Sequence, residues 1–506
     1  MKIWLEAEKA LIPLFKECKD CSRATTIPKS EINLRGMVDT MMLQGRKLVQ
    51  SVPLYISECH TERWLVCHPT GKGHLAVIDQ EAMELLNRFR DPVTFSHVVE
   101  LELGPFSALA DMFMHFLRLG WIAPEDAPSL PLFPDDTKDL SAWLHVTNAC
   151  NLRCSYCYIS KTTEHMQEDV ALRSIDAIFR SADARQTEQL LLKYAGGEAS
   201  LLMPRVFAIH DYAARLASER GIQLSAFLLS NGVALSDRSI EGLKARGIGL
   251  MISLDGIGAA HDRQRSFIGG QGSFKQVERT LDRLSEHGLI PHISVTISQR
   301  NLAGLPELIT YLLDRALPFS LNYYRDNECS THLHDLSYND SAIIQTMHTV
   351  LGIIEERLPE YSLLTALLDK ADPESPHQRT CGVGQNYLVV DQQGGIAKCH
   401  ADISRTVTTI HDADPLRTIQ MDRTGLQNVA VDEKEGCRSC QWKYWCSGGC
   451  PLLTQRVTGR TDIKSPNCGI YQALFPQVLR LEALRILKQV TPLSYEEQTR
   501  EEPSHF

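Results

Sequence analysis

Between Trp143 and Tyr324 the chain keeps returning to one pattern: a short apolar run that closes on or near Gly, Asn or Asp, followed by a longer amphipathic segment. The runs are "AWLHVT", "QLLLKYAG", "LSAFLLSNG", "IGLMISLDG", "PHISVTIS" and "PFSLNYY", and the segments between them include "SIDAIFRSADA" and "FKQVERTLDRLSEHG". The runs read as strands and the amphipathic segments as helices. Such alternation leads to a parallel α/β sheet with its ligand-bearing loops at the strand ends. About six units of this kind are expected to form a curved sheet or partial barrel.

The rest of the chain divides around that core. Residues 1–52 read as a helical lead-in. Residues 53–128 hold "ERWLVCHPTGKGHLAVID", two apolar stretches around a glycine-containing turn, which signals a hairpin. "QEAMELLNRFR" and "SALADMFMHFLRLGWI" follow with apolar residues at helical spacing, so this unit predicts a small winged-helix-like domain. Residues 129–140, rich in Pro and Asp, read as a linker. The core then occupies 141–345, a helical bridge 346–375 (342 to 372 look helical), a cysteine-rich module 376–480, and a helix end with a charged tail 481–506. A net charge of -10 and a pI near 6.0 argue against a nucleic-acid partner. No apolar run approaches the roughly 18 residues of a membrane span, and "MKIWLEAEKALIPLFKEC" lacks a signal-peptide core. A cytoplasmic location with no membrane contact is expected.

Fifteen cysteines in a reducing compartment point to metal rather than disulfides. Cys150, Cys154 and Cys157 form C-x3-C-x2-C. Three thiolates on three irons of a cubane leave the fourth iron an exchangeable position for a cofactor or substrate, as an open catalytic metal site does. A zinc knuckle would need a further ligand, and His165 falls in what reads as the next loop. The triplet, with Tyr156 before its last cysteine and a strand directly before it, resembles the radical S-adenosylmethionine superfamily. The resemblance implies a [4Fe–4S] cluster whose open iron chelates S-adenosylmethionine, which is split to methionine and a 5′-deoxyadenosyl radical that abstracts hydrogen from substrate. Gly196, Gly197 and Glu198 resemble the family's GGE motif, with glycines for close approach to a ligand and a carboxylate for the cofactor's ammonium. Ser230, Asn231, Ser253 and Asp255 look like the family's ribose- and carboxylate-contacting positions, and Arg265 in "HDRQR" resembles the arginine that meets the methionyl carboxylate.

The last seven cysteines resemble the SPASM extension of radical enzymes that modify peptides, which carries two auxiliary [4Fe–4S] clusters. The resemblance implies that Cys437, Cys440, Cys446 and Cys468 close one cluster while Cys381, Cys399 and Cys450 serve the other. The second set is one ligand short: either Cys329 reaches in, or one iron is open to substrate or to the surplus electron. A zinc ribbon at Cys437, Cys440, Cys446 and Cys450 is the competing reading. Trp442, Tyr444 and Trp445 read as packing around the metal, and Cys18 and Cys21 as ordinary reduced thiols. Trp64 to Ile122, ending in "LRLGWI", resembles a winged-helix peptide-recognition domain. There the leader of a ribosomally made precursor peptide would add a strand to the sheet edge.

The combined expectation is an α/β, partial (β/α)6 radical SAM barrel between a winged-helix-like domain and a SPASM module. It would install a thioether or carbon–carbon crosslink in a precursor peptide, drawing electrons from an external one-electron donor such as flavodoxin or ferredoxin. The radical derives from the cofactor, so no general base is required. Asp391 is the candidate if one is used, and Cys329 the candidate hydrogen donor of an epimerase. Formylglycine formation, as in anaerobic sulfatase maturases, and a non-catalytic zinc-binding adaptor are the rival readings.

Overall fold

The computed structural model describes residues 1–5, 45–51, 54–69, 75–101, 105–127 and 138–490. Most of the expected helical lead-in, Cys18 and Cys21, most of the linker and the charged tail lie outside them.

The N-terminal unit contains β1 (Ile3–Trp4), β2 (Lys47–Gln50), β3 (Tyr55–His60), β4 (Arg63–Cys67), β5 (Ala76–Asp79), β6 (Val93–Thr94) and β7 (Ile122–Pro124). The hairpin read from the sequence is β4 paired antiparallel with β5. It is the middle of a four-stranded sheet ordered β1-β5-β4-β3, and a three-stranded sheet, β6-β2-β7, lies beside it. A two-residue strand such as β1 is below the length at which alternation can be read. Asp79 caps the helix Gln80–Asn87, its Oδ1 accepting from the Ala82 amide at 3.0 Å. The helix Phe106–Arg118 buries Leu109, Met112, Phe113 and Phe116, and Trp121 of the "LRLGWI" stretch packs on Phe116.

The core holds β8 (Asp139–His145), β9 (Leu152–Cys154), β10 (Gln189–Ala195), β11 (Gln223–Ser230), β12 (Gly249–Ser253), β13 (Arg265–Phe267), β14 (His292–Ile297) and β15 (Phe319–Tyr323). Six of these are the six apolar runs. They pair in parallel in the order β15-β14-β12-β11-β10-β8. Both faces are covered, so β8 reads as a continuous buried run instead of alternating. The helix Glu168–Ala184, for example, buries Ala171, Ile175, Ile178 and Ala182, and each such aliphatic side chain contributes about 1.5–3 kcal/mol for the larger ones. β9 and β13 are a separate antiparallel pair that sets Cys154 opposite Arg265.

The cysteine-rich region adds β16 (Tyr387–Val390), β17 (Gly395–Ala397) and β18 (Thr406–Thr409). β16 pairs in parallel with β8, Leu388 opposite Ala142, and β17 and β18 extend it antiparallel, so one nine-stranded sheet runs across the boundary placed at residue 376. The bridge before it is helical only over Asp340–Glu356. Pro359 lacks an amide proton and disfavours helix at Leu358, so residues 357–372 turn irregularly. The last helix, Cys468–Gln489, lies between Asp340–Glu356 and the sheet of β3, β4 and β5. Tyr55 of β3 meets Trp442 edge to face, centroids 4.8 Å apart.

Candidate active site and cysteine sets

The C-terminal ends of the parallel strands open onto a cavity of about 250 Å³ lined by Cys150, Cys154, Tyr156, Cys157, Gly196, Gly197, Glu198, Ser230, Asn231, Ser253 and Arg265, among others. The topology brings them together: the triplet follows β8, the glycines follow β10, Ser230 ends β11 and Ser253 ends β12. Ligand loops of a parallel sheet fall at this edge.

Several of the polar groups are held by a second one. Glu198 is buried; its Oε1 accepts from Ser230 Oγ at 2.8 Å and the Ser200 amide at 3.0 Å, and its Oε2 from the Asn231 amide at 2.7 Å. The carboxylate expected for a cofactor's ammonium therefore already fixes the end of β11. Gly196 and Gly197, in the same wall, lie close against the backbone of the cysteine loop. A Cβ on Gly196 would stand 2.5 Å from the Thr147 carbonyl oxygen, and one on Gly197 would fall on that of Ala149. The absent side chains make room for the cysteine loop itself, secured by amides donated from Gly197 to Thr147 at 2.6 Å and from Glu198 to Ala149 at 2.9 Å.

Asp255 does not line the cavity. It is fully buried, accepting from Tyr156 Oη at 2.6 Å and the Thr296 amide at 2.8 Å, and it lies 3.7 Å from Arg265 Nη1. Burial pushes its carboxyl up, with Arg265 opposing. The Arg265 guanidinium donates to Tyr156 Oη, while its Nε is buried with no protein partner. A cation in the cavity wall with a donor to spare suits a carboxylate ligand. His261 sits behind this pair, accepting from the Asp255 amide on Nδ1 at 3.2 Å, with Nε2 3.0 Å from Ser273 Oγ.

Several cavity residues escaped the sequence reading. Lys161 donates to Cys157 Sγ at 3.0 Å. Trp143 stacks on His400, centroids 4.4 Å apart and rings 14° from parallel, and Tyr158, Asn322, Tyr324, Arg325, Asn327 and Arg456 complete the far side. The end of β15, "NYYR", was flagged only as a strand; its position at a parallel strand's end was the available signal. Asp391 is not in the cavity: its Oδ1 accepts from the amides of Gln393 and Gly395, both at 2.8 Å, in the turn between β16 and β17. Cys329 is exposed, its thiol 3.7 Å from the carbonyl oxygen of Tyr158, the residue after Cys157.

Of the late cysteines, Cys440 and Cys468 act electrostatically on Cys437, and Cys437, Cys440 and Cys468 on Cys446. Cys381, Cys399 and Cys450 share an apolar cluster with Trp143 and Tyr387, and Asn428 Nδ2 donates to the Cys381 carbonyl at 2.6 Å. Trp442 and Trp445 pack on Phe475, as packing residues would. No described cysteine is in a disulfide. Among the described residues, no group of three or more His, Cys, Asp or Glu is placed to hold a single metal ion; a cluster with one thiolate per iron asks for a wider set. Burial pushes the thiols of Cys154 and Cys446 up to about 12 and that of Cys437 up to about 11. The three thiols of the triplet, in one cavity wall, suit a cluster with one thiolate per iron, and the Arg265 wall fits a carboxylate-bearing cofactor.

No helix among the described residues is long and apolar enough to cross a membrane. Residues 144–310 match the model of the Radical SAM superfamily. The chain is 28% identical over 264 residues to the antilisterial bacteriocin subtilosin biosynthesis protein AlbA of Bacillus subtilis (strain 168), covering 51% of this chain and 54% of that protein. It is 27% identical over 176 residues to the sporulation killing factor maturation protein SkfB of the same organism, covering 35% and 40%. The chain therefore spans about half, or less, of these relatives' length. Native anSMEcpe with bound AdoMet and Cp18Cys peptide superposes with a TM-score of 0.55 at 15% identity, covering 68% of this chain and 98% of that one, which shows the shared α/β fold.

Proposed function

We propose that this chain, which carries a radical SAM domain with SPASM-type maturases among its relatives, is a maturase that forms a thioether or carbon–carbon crosslink in a ribosomally synthesised precursor peptide. The observation that carries the reading is a single cavity with the Cys150, Cys154 and Cys157 thiols in its wall together with His400 and Ala401, the two residues that directly follow Cys399. A substrate there would lie between the first cluster and the auxiliary module.

The radical SAM family implies a [4Fe–4S] cluster and S-adenosylmethionine, which together supply a hydrogen-abstracting radical when bound. The chain's own residues bind and orient. Cys150, Cys154 and Cys157 would hold that cluster. Arg265, fixed by Asp255 and Tyr156, would take the methionyl carboxylate. Ser230, Asn231 and Ser253 offer polar contacts at the strand ends. Trp143, Tyr158 and Tyr324 would exclude water around the reacting carbon. Cys437, Cys440, Cys446 and Cys468 would hold one auxiliary cluster, and Cys381, Cys399 and Cys450 the other with an iron left open, since Cys329 faces solvent. The edge strand β3 is where a leader peptide would add, and a flavodoxin or ferredoxin would deliver electrons.

The test is anaerobic reconstitution followed by co-expression with a candidate precursor. About twelve irons per chain, 5′-deoxyadenosine release and a peptide lighter by two hydrogens, with fragmentation suppressed inside a ring, are expected. A hydrazide-reactive aldehyde on the peptide would favour formylglycine formation instead. Bound zinc with no cofactor cleavage would reject the enzyme reading.

A further inference from the structure

Lys434 is among the most buried side chains in the molecule, 1% exposed. Its ammonium donates to the Ser447 carbonyl at 2.7 Å. Its stem lies against Gly448, where a Cβ would stand 2.6 Å from Lys434 Cδ and 3.0 Å from Nζ. Ser447 and Gly448 belong to the loop "CSGGC", which joins Cys446 to Cys450. In the arrangement proposed above, Cys446 belongs to one auxiliary set and Cys450 to the other. The ammonium is thus seated on the segment that links them.

A buried ammonium ordinarily needs an anionic partner. The nearby acids are engaged elsewhere: Asp432 pairs with Lys443 at 2.7 Å and accepts from Tyr444, and Glu435 pairs with Arg460 at 3.0 Å on the surface. No carboxylate pairs with Lys434 among the described residues. Burial lowers its pKa on balance, and Cys437, Cys381, Cys446 and Cys450, drawn from both sets, oppose that shift. Gly448 and Ser447 both have positive φ, +75° and +47°. The backbone there takes a conformation that side chains resist, and it lets the lysine approach.

Resting on the auxiliary-cluster reading above, we propose that Lys434 is the shared counter-cation of the two C-terminal cysteine sets and holds up the reduction potentials of the clusters they carry. A fixed positive charge near a cluster favours its reduced, more negative form, most strongly where water is excluded. Lys434 is a positioning charge and touches no substrate.

The test is an anaerobic redox titration followed by EPR on the full chain. Wild-type Lys434 and Lys434→Met are compared on a Cys150→Ala/Cys154→Ala/Cys157→Ala background, so that only auxiliary clusters give signal. Zinc in place of iron on that background, with Lys434 intact, would remove the auxiliary clusters and this inference with them. With iron retained, both midpoints are expected to move to more negative potential in Lys434→Met. The shift should persist at high salt, because a buried charge is little screened. Full iron with unmoved midpoints overturns the inference and leaves the auxiliary-cluster reading standing. Should Lys434→Met lose iron, Lys434→Arg decides. An arginine variant that keeps iron and wild-type midpoints supports the charge role, and one that loses iron equally shows that Lys434 only fills space.

Discussion

At the first cysteine triplet the buried cation already has a protein anion: Arg265 lies 3.7 Å from Asp255, and Tyr156 is shared between them. In the C-terminal region one buried cation, Lys398, pairs with Asp422 at 2.7 Å, while another, Lys434, has a carbonyl and the nearby thiols. The difference follows from what each place must tolerate. A cavity whose ligand enters and leaves needs its charges balanced when empty, because an unpaired buried charge is strongly destabilising. A site closed by four thiols, as proposed for Cys437, Cys440, Cys446 and Cys468 beside the packed Trp442, Trp445 and Phe475, would let a permanent resident supply the balance. The triplet region should therefore keep its fold without cofactor, and the C-terminal region should depend on its contents.

The largest effect expected is on replacing Cys150, Cys154 and Cys157 together by Ala. 5′-Deoxyadenosine formation should vanish and iron should drop by about four per chain, leaving about eight in the other sets. Thermal unfolding should shift little. Iron analysis with a melting curve checks this, and concerted loss of all iron would erase the contrast between the two regions.

Asp255→Asn should come next. It leaves Arg265 buried without a counter-charge, at a cost of about 3 kcal/mol, and S-adenosylmethionine should bind more weakly in equilibrium dialysis. The matching change on the other side, Asp432→Asn, breaks a partly exposed pair with Lys443 and should cost about 1 kcal/mol or less. Equal losses in urea titrations would show that the Arg265 pair is not the prepaid charge described above.

Gly197→Ala is the steric counterpart. Its new methyl would fall on the Ala149 carbonyl of the cysteine loop, and overpacking of this kind costs about 2 kcal/mol. Slower cluster uptake at the triplet, with normal uptake elsewhere, is the expected signature in a reconstitution time course. An unchanged course would mean the loop moves aside freely.

These residues also show how far the sequence could be read. The six core strands were legible because each carries an apolar run, near-continuous in β8, β10 and β11 and alternating in β14 and β15, and the triplet because thiol spacing carries its own chemistry. The glycine and glutamate positions were found, but their partners were not. Spacing cannot tell whether Glu198 faces a ligand or Ser230, nor whether Gly197 admits a cofactor or the Ala149 backbone. Contacts built by very short elements were invisible: β9 and β13, three residues each, set Arg265 against Cys154, and β16 joins the C-terminal region to β8. Lys161, His400 and Lys434 stood beside named cysteines and were passed over, since only tertiary structure tells which charges a fold has turned inward.

The effect visible only through its pH dependence concerns His261, which supports the Asp255–Arg265 pair from behind. Burial first, and Arg265 second, press its pKa from 6.5 down to about 3. Its Nδ1 accepts from the Asp255 amide, which only an unprotonated nitrogen can do, so Nε2 carries the proton toward Ser273 Oγ. Above pH 6.5 the ring is neutral in both folded and unfolded chains, and its contribution to stability is fully present. Below 6.5 the unfolded chain takes up a proton that the folded chain refuses. This one group then removes about 1.4 kcal/mol of stability per pH unit, down to the folded value near 3. Other groups titrate in the same range, so the informative quantity is the difference between wild type and His261→Gln, measured by urea unfolding at pH 7.5, 6.0 and 5.0. Gln keeps a donor and an acceptor but cannot titrate. The variant should be less stable than wild type at pH 7.5, and the gap should narrow as pH falls. A gap constant with pH would place the proton on His261 in the folded state, and the triplet region would then hold a buried histidine cation beside Arg265 that its arrangement of charges does not accommodate.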